Sequence, residues 1–272
     1  MSRLLAFAAV LVVAAPVFAQ APPAAPGPAR SGRQGALEDI TGYWVSLVTE
    51  DWRYRMVTPT KGDVGSIPVT PEGRKAAEAW DPAKDEAAGE QCKAYGAPGL
   101  MRRPTRLHIT WQDDNTLKVE TDEGTQTRLF HFGAEAPAKQ ASSLQGYSVA
   151  TWDVSAPAGG GGGGRGGLAP GAPPAGRGGR GGGPPPGPGS MKVVTTDLKP
   201  GYLHKNGVPY GAKTVLTEYF TRTNDSDGTS WLILTADVED GGQYIRGDFL
   251  TSTHYLKEPD GSKWDPSPCS AR

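Results

Sequence analysis

Cysteine is scarce in this chain: 272 residues hold two, Cys92 and Cys269. Two thiols 177 positions apart make no metal site by themselves. Histidine is nearly as rare, at four residues, and no His-x-His or His-x-x-x-His spacing occurs. Acid is missing from residues 1–35 and again from Ala156–Ser190, where the charges are Arg3, Arg30 and Arg33, then Arg165, Arg177 and Arg180. Outside these stretches stand 22 Lys and Arg against 29 Asp and Glu. So acidic a body repels phosphate, which argues against nucleic acid as a partner. No uninterrupted apolar run reaches the roughly 20 residues that cross a bilayer, so no integral membrane segment is expected.

What is present divides the chain. Met1-Ser2-Arg3 gives a positive start, Leu4–Ala15 an uncharged apolar run, and Val17-Phe18-Ala19 small residues at positions −3 and −1 of a cleavage point. This pattern predicts a signal peptide over 1–19 and a periplasmic or secreted protein. Residues 20–35 are rich in Ala, Pro and Gly and are expected to be a disordered leader. Ala156–Ser190 holds 17 Gly and 8 Pro without a Gly-x-y period, so it is not collagen-like. Splicing it out joins Tyr147–Val154 to Met191–Thr196 as one hairpin. The segment 156–190 therefore reads as a disordered insertion at a hairpin tip, dividing one domain into 36–155 and 191–272. Long loops add little closure entropy. Its three Arg-Gly-Gly steps read as a mildly basic tether. In an oxidising compartment an even cysteine count favours a Cys92–Cys269 disulfide.

Thr41–Thr49 is β-branched and aromatic, hence a strand, with Trp52–Val57 continuing it after a bend. Thr70-Pro71-Glu72 and Asp81-Pro82 are helix starts, giving two short helices that read as a cover or plug. From Thr105 the apolar period is 2: Leu107, Ile109 and Trp111, then Leu117 and Val119, with turns at Asp113-Asp114-Asn115 and Asp122-Glu123-Gly124. Strands at 127–132, 145–154, 191–196, 214–222, 230–239 and 249–257 complete the pattern. The fold class is all-β, an antiparallel up-and-down barrel of about eight or nine strands, because closure removes exposed edges. A two-sheet sandwich is the competing architecture.

Gly42-Tyr43-Trp44 resembles the Gly-x-Trp opening of the lipocalins and their calycin relatives. The resemblance implies that Trp44 closes one end of the barrel and that a late-strand arginine, Arg222 or else Arg246, packs across it. A second resemblance covers more of the chain. Thr70-Pro71-Glu72-Gly73, Tyr95-Gly96-Ala97, Met101-Arg102-Arg103-Pro104, Gly146-x-Ser148-x-Ala150-x-Trp152-Asp153, Leu216-Thr217-Glu218 and Val238-Glu239-Asp240 are similar to a family of exported bacterial proteins of unknown function. It implies a shared fold and compartment and brings no activity.

Candidate chemistry follows from parity and composition. Gly146-Tyr147-Ser148-Val149-Ala150 approaches a nucleophile elbow, but its strand context and Ala150 depart from that motif. His108, His131 and His254 are metal candidates only if all three face one lumen, and their parities conflict: His108 reads outward, His131 inward with Leu129. No cofactor is expected. Seven tryptophans are many for this length, and they serve core packing or line a ligand space. Trp44, Trp111, Trp152, Phe220 and Trp231, with Glu218 as a polar handle or as the partner of a buried Arg106 or Arg128, are the ligand-binding candidates. The leading expectation is a carrier of a small, partly apolar ligand. The alternatives are a barrel isomerase or hydrolase using Glu218 and a lumen histidine, and an envelope scaffold.

Overall fold

The computed structural model describes residues 31–133, 136–137, 141–153 and 189–272. The signal-peptide reading over 1–19, the leader up to residue 30, and 156–188 of the Gly/Pro-rich stretch lie outside the described residues, as do 154 and 155.

The strands are β1 (Gly42–Leu47), β2 (Arg106–Trp111), β3 (Thr116–Thr121), β4 (Glu123–Gly124), β5 (Thr127–Phe132), β6 (Tyr147–Asp153), β7 (Ser190–Thr196), β8 (Gly201–Tyr202), β9 (Pro209–Tyr210), β10 (Val215–Asn224), β11 (Ser230–Glu239), β12 (Phe249–Glu258) and β13 (Ser267–Pro268). Nine of them close a barrel in the order β1-β12-β11-β10-β7-β6-β5-β3-β2. Neighbours follow chain order, as a meander requires. The barrel is nevertheless mixed rather than wholly antiparallel, because β5 and β6 pair in parallel. An odd ring cannot alternate direction throughout, so nine strands force one such pair. β6 and β7, which flank 154–188, are antiparallel neighbours with Trp152 opposite Met191. Ser190, expected in the insertion, already belongs to β7.

Alternation along each strand fills the lumen with side chains. Trp44, Leu107, Ile109, Leu117, Val119, Phe130, Met191, Val193, Phe220, Leu232, Leu234 and Tyr255 form one buried cluster. The end at which β1 starts is closed by the N-terminal approach. Ile40 enters that cluster, and its carbonyl accepts from Trp44 Nε1 at 2.9 Å. Residues 31–35, expected in the disordered leader, also pack here. Trp152 Nε1 donates to Gly32 O at 2.7 Å, and Gly32 N donates to Asn115 Oδ1 at 2.8 Å. The Trp152 indole at the barrel mouth thus finds its backbone acceptor in the leader.

The opposite end is covered by residues 48–105, with α1 (Trp52–Arg55), α2 (Pro71–Ala79), α3 (Pro82–Ala87) and α4 (Ala97–Leu100). Trp52–Arg55 is a helical turn and does not continue the first strand. Asp51 takes a positive φ of 50°, and its carbonyl accepts from Tyr54 N and Arg55 N, so the chain leaves the sheet there. The starts of α2 and α3 follow their signals: Thr70 Oγ1 accepts from Gly73 N and Asp81 Oδ1 from Ala83 N. Gly73 is required by close approach, since a Cβ would stand 2.4 Å from Tyr244 O. Ala77, Val64, Ile67 and Val69 pack onto Leu216, Val238 and Ile245, forming a second core under this lid. Cys92 and Cys269 are joined by a disulfide, Cα–Cα 5.1 Å, which ties the tail to the lid. Beside it, β13 pairs with β4.

Candidate functional site

The expected lumen residues do not form a ligand space. Trp44 and Phe220 are fully buried in the packed core. Trp111 and Trp152 bracket Phe132 at the leader end, with ring centroids 5.4 and 5.7 Å from it. Trp231 alternates with buried Leu232, so it faces outward, where Nε1 donates to Asp225 Oδ2. Glu218 is the polar group inside the barrel. It accepts from Arg128 Nη1 at 2.8 Å and Nη2 at 2.6 Å, with side-chain exposures of 0% and 1%. Arg128 Nη2 also reaches Thr195 Oγ1, which shares a hydrogen bond with Ser148 Oγ. Both carboxylate oxygens of Glu218 and both terminal nitrogens of Arg128 are thereby matched, only Arg128 Nε lacking a partner among the described residues, and the cluster is a structural tie. Ser148 is buried in mid-strand, in no elbow.

The strand histidines are outward-facing. His131 lies between buried Phe130 and Phe132 and stacks on Tyr147, because Leu129 also belongs to the outer face. His254 lies between buried Thr253 and Tyr255, with Nδ1 3.1 Å from Thr49 Oγ1. His108 stacks on Tyr43 at 4.2 Å. The lumen pairing of a histidine with Glu218, and a shared metal site for these three, are therefore not formed. The cation over the Trp44 indole is Lys257, 4.4 Å from the ring centroid. Arg222 instead donates to Asp39 O and Ser230 Oγ, so it is not the closing partner. Arg246 donates to Val69 O under the lid.

The lid end carries a cleft of about 300 Å³ lined by Tyr54, Arg55, Met56, Val57, Arg102, Arg103, Leu203, His204 and Lys205 among others. Four segments build it. The α1 turn swings Arg55 inward, where it donates to Thr251 Oγ1 at 2.7 Å and Ser252 O at 2.7 Å. The turn that ends α4 delivers Arg102 and Arg103, and Arg102 lies over the Phe249 ring at 4.7 Å. The β8–β9 loop brings His204 under Tyr54, the two rings nearly parallel at 5.9 Å. Glu123, at the floor, accepts from Arg103 Nη2 and Tyr95 OH.

Burial here is unusual for cations. Arg102 is 4% exposed and His204 5%. Nε and Nη1 of Arg102, Nε of Arg55, Nε of Arg103 and both ring nitrogens of His204 have no hydrogen-bond partner in the protein. Buried polar atoms are normally satisfied, so such a concentration marks a place where something else can supply acceptors. Burial, reinforced by Arg55, pushes Arg102 down to about 10. Burial, with Arg102 and then Arg55 beside it, pushes His204 down to about 3, so its ring is neutral. The rim is apolar and open: Met56 is 58% and Val57 65% exposed.

None of the cleft's cationic residues was expected from the sequence as site residues. Their only trace was Met101-Arg102-Arg103-Pro104, four residues without an acid, which stood out as a similarity and not as chemistry. Asp237, Glu239 and Asp248 gather at the sheet surface, and burial with Asp248 and Glu239 raises the Asp237 carboxyl. Asp240, beside them, accepts from Gly242 N, Tyr244 N and Ile245 N and so shapes its own loop. No family model, curated protein or solved structure matches the chain.

Proposed function

We propose that this protein is an exported carrier or sensor of a small, partly apolar molecule, and that the ligand sits in the lid-end cleft rather than in the barrel lumen. The observation that carries this reading is the pairing of buried, unsatisfied Arg102 and His204 with the exposed apolar rim of Met56 and Val57. Small-molecule sites combine apolar walls with a few polar groups that fix orientation, and this volume is at the lower end of their range. The filled lumen removes the space a calycin carrier would use, so kinship with the calycins rests on Gly42-Tyr43-Trp44 and the strand order. Export is supported by the disulfide and by the apolar run after Arg3. Among the described residues no helix is long and apolar enough to cross a membrane. Native mass spectrometry of protein taken from its own host's periplasm tests the reading. A reproducible bound mass, lost in Met56→Asp, supports it; protein that is always empty refutes it and leaves the scaffold role.

A further inference from the structure

We propose that the cleft is specific for an organic monoanion, a carboxylate on a partly apolar body, held by Arg102 with His204 and Lys205. This rests on the cleft reading above and names the ligand's chemical class. Charge counting at the cleft decides between classes. Four cations face it: Arg55, Arg102, Arg103 and Lys205. Three carboxylates answer them. Asp51 Oδ2 lies 3.1 Å from Arg102 Nη2, Glu50 Oε2 3.6 Å from Arg55 Nη2, and Glu123 pairs with Arg103. Lys205 makes no ion pair within 4.0 Å among the described residues. His204 adds no charge, because it is neutral. One positive charge is left over, which matches a single negative charge. A dianion would leave one charge of its own uncompensated in a partly desolvated site, at a cost that grows as the local dielectric falls.

The donor set fits the same ligand. A carboxylate brings acceptors and no donors, and Arg102 and Arg55 offer donors with no acceptor in the protein. Neutral His204 supplies one further N–H. Lys205 is held below its usual range by burial and then by Arg103, against the opposing charge of Glu123, and an anion beside it would favour its charged form. The apolar end of the ligand would lie along Met56 and Val57, whose exposed side chains gain by being covered. Arg102 and Arg55 are already fixed by Asp51, Thr251 and Ser252, so little side-chain entropy is lost when the anion binds.

The test is a calorimetric titration of the intact, disulfide-bonded protein at pH 8. The probes are octanoate and 3-phenylpropanoate, the alcohol that matches each, and octyl phosphate. Saturable binding of either carboxylate, weaker by about tenfold or more for its alcohol and for octyl phosphate, is the expected result. Arg102→Gln and, separately, Lys205→Met should each weaken the carboxylate by about tenfold and leave the alcohol unchanged. Lys205→Met is the safer variant for folding, because Lys205 is only half-buried. Equal binding of acid and alcohol, with both lost in Met56→Asp, keeps the cleft and overturns the anion. Tighter binding of octyl phosphate overturns the monoanion. No binding by any probe overturns the anion site, and it overturns the cleft reading too if protein from the host is also empty.

Discussion

Arg128 and Glu218 face each other across the sealed lumen as a two-pronged ion pair, one from β5 and the other from β10, with β6 and β7 between them around the barrel. Removing one partner strands the other charge in a low-dielectric core. Glu218→Ala should therefore cost about 3–5 kcal/mol in urea unfolding, whereas joint replacement by Arg128→Met and Glu218→Leu should be near neutral. A single-variant cost below about 1 kcal/mol would sink the view that this pair is desolvated and mutually dependent.

The Cys92–Cys269 bridge closes a loop of 177 positions. Alkylation without reductant should modify neither cysteine. Replacing both by serine should lower stability by about 5 kcal/mol on the chain-entropy account. Ready labelling of both residues in the untreated protein would contradict the bridge.

Glu38 controls the pH response at the leader end. Its Oε2 accepts from Arg222 N and its Oε1 has no partner. Burial raises the carboxyl to about 7, against the opposing hydrogen bond and charge of Arg222. The unfolded chain releases this proton near 4.5 and the folded one near 7, so the folded state binds more protons between those values. The contribution to stability is thus full below about 4.5 and lost as pH rises to 7. Glu38→Gln should remove that loss and be the more stable above pH 7, by on the order of 1 kcal/mol after allowance for partial exposure. Melting curves of the two proteins that stay parallel from pH 4 to 8 would refute this.

His204 acts with the opposite sign. Its folded value lies near 3, below the ordinary imidazole value of about 6.5. The unfolded chain takes up a proton in that window and the folded one does not, so stability present at neutral pH falls as pH drops from about 6.5 toward 3. His204→Leu should reduce the acid-side slope by up to one proton, about 1.4 kcal/mol per pH unit. An unchanged slope would show that His204 charges freely in the folded state.

Strand period was the most legible feature, because alternation records which face each side chain takes. Leu107, Ile109, Leu117 and Val119 read inward and are inward. The same reasoning misplaced His131: Leu129 is an apolar residue on the outer face, while Phe130 and Phe132 carry the inner one. The helix starts at Thr70 and Asp81 were legible because caps are local. The turn at Trp52–Arg55 was not, because it depends on Asp51 adopting a positive φ beside Arg102. Nor was the cleft, whose cations come from segments about 50 and 150 positions apart, joined only when the lid folds over the barrel. Nine strands lay within the expected eight or nine, but the parallel β5–β6 pair was hidden, since it follows from closing an odd ring and not from any one strand.

The parallel β5–β6 seam gives the ring a direction in which to fail. Three residue pairs join these strands, Phe130 with Ser148, His131 with Val149 and Phe132 with Ala150, whereas β10 and β11 share ten. A closed barrel with one short join behaves mechanically like a rolled sheet with a fastening. Arg128 lies just inside that fastening and, through Glu218 and Thr195, holds strands on its far side. The buried ion pair then acts as a latch across the seam, and amides of β5 and β6 should be the first of the barrel to exchange with solvent once it is cut.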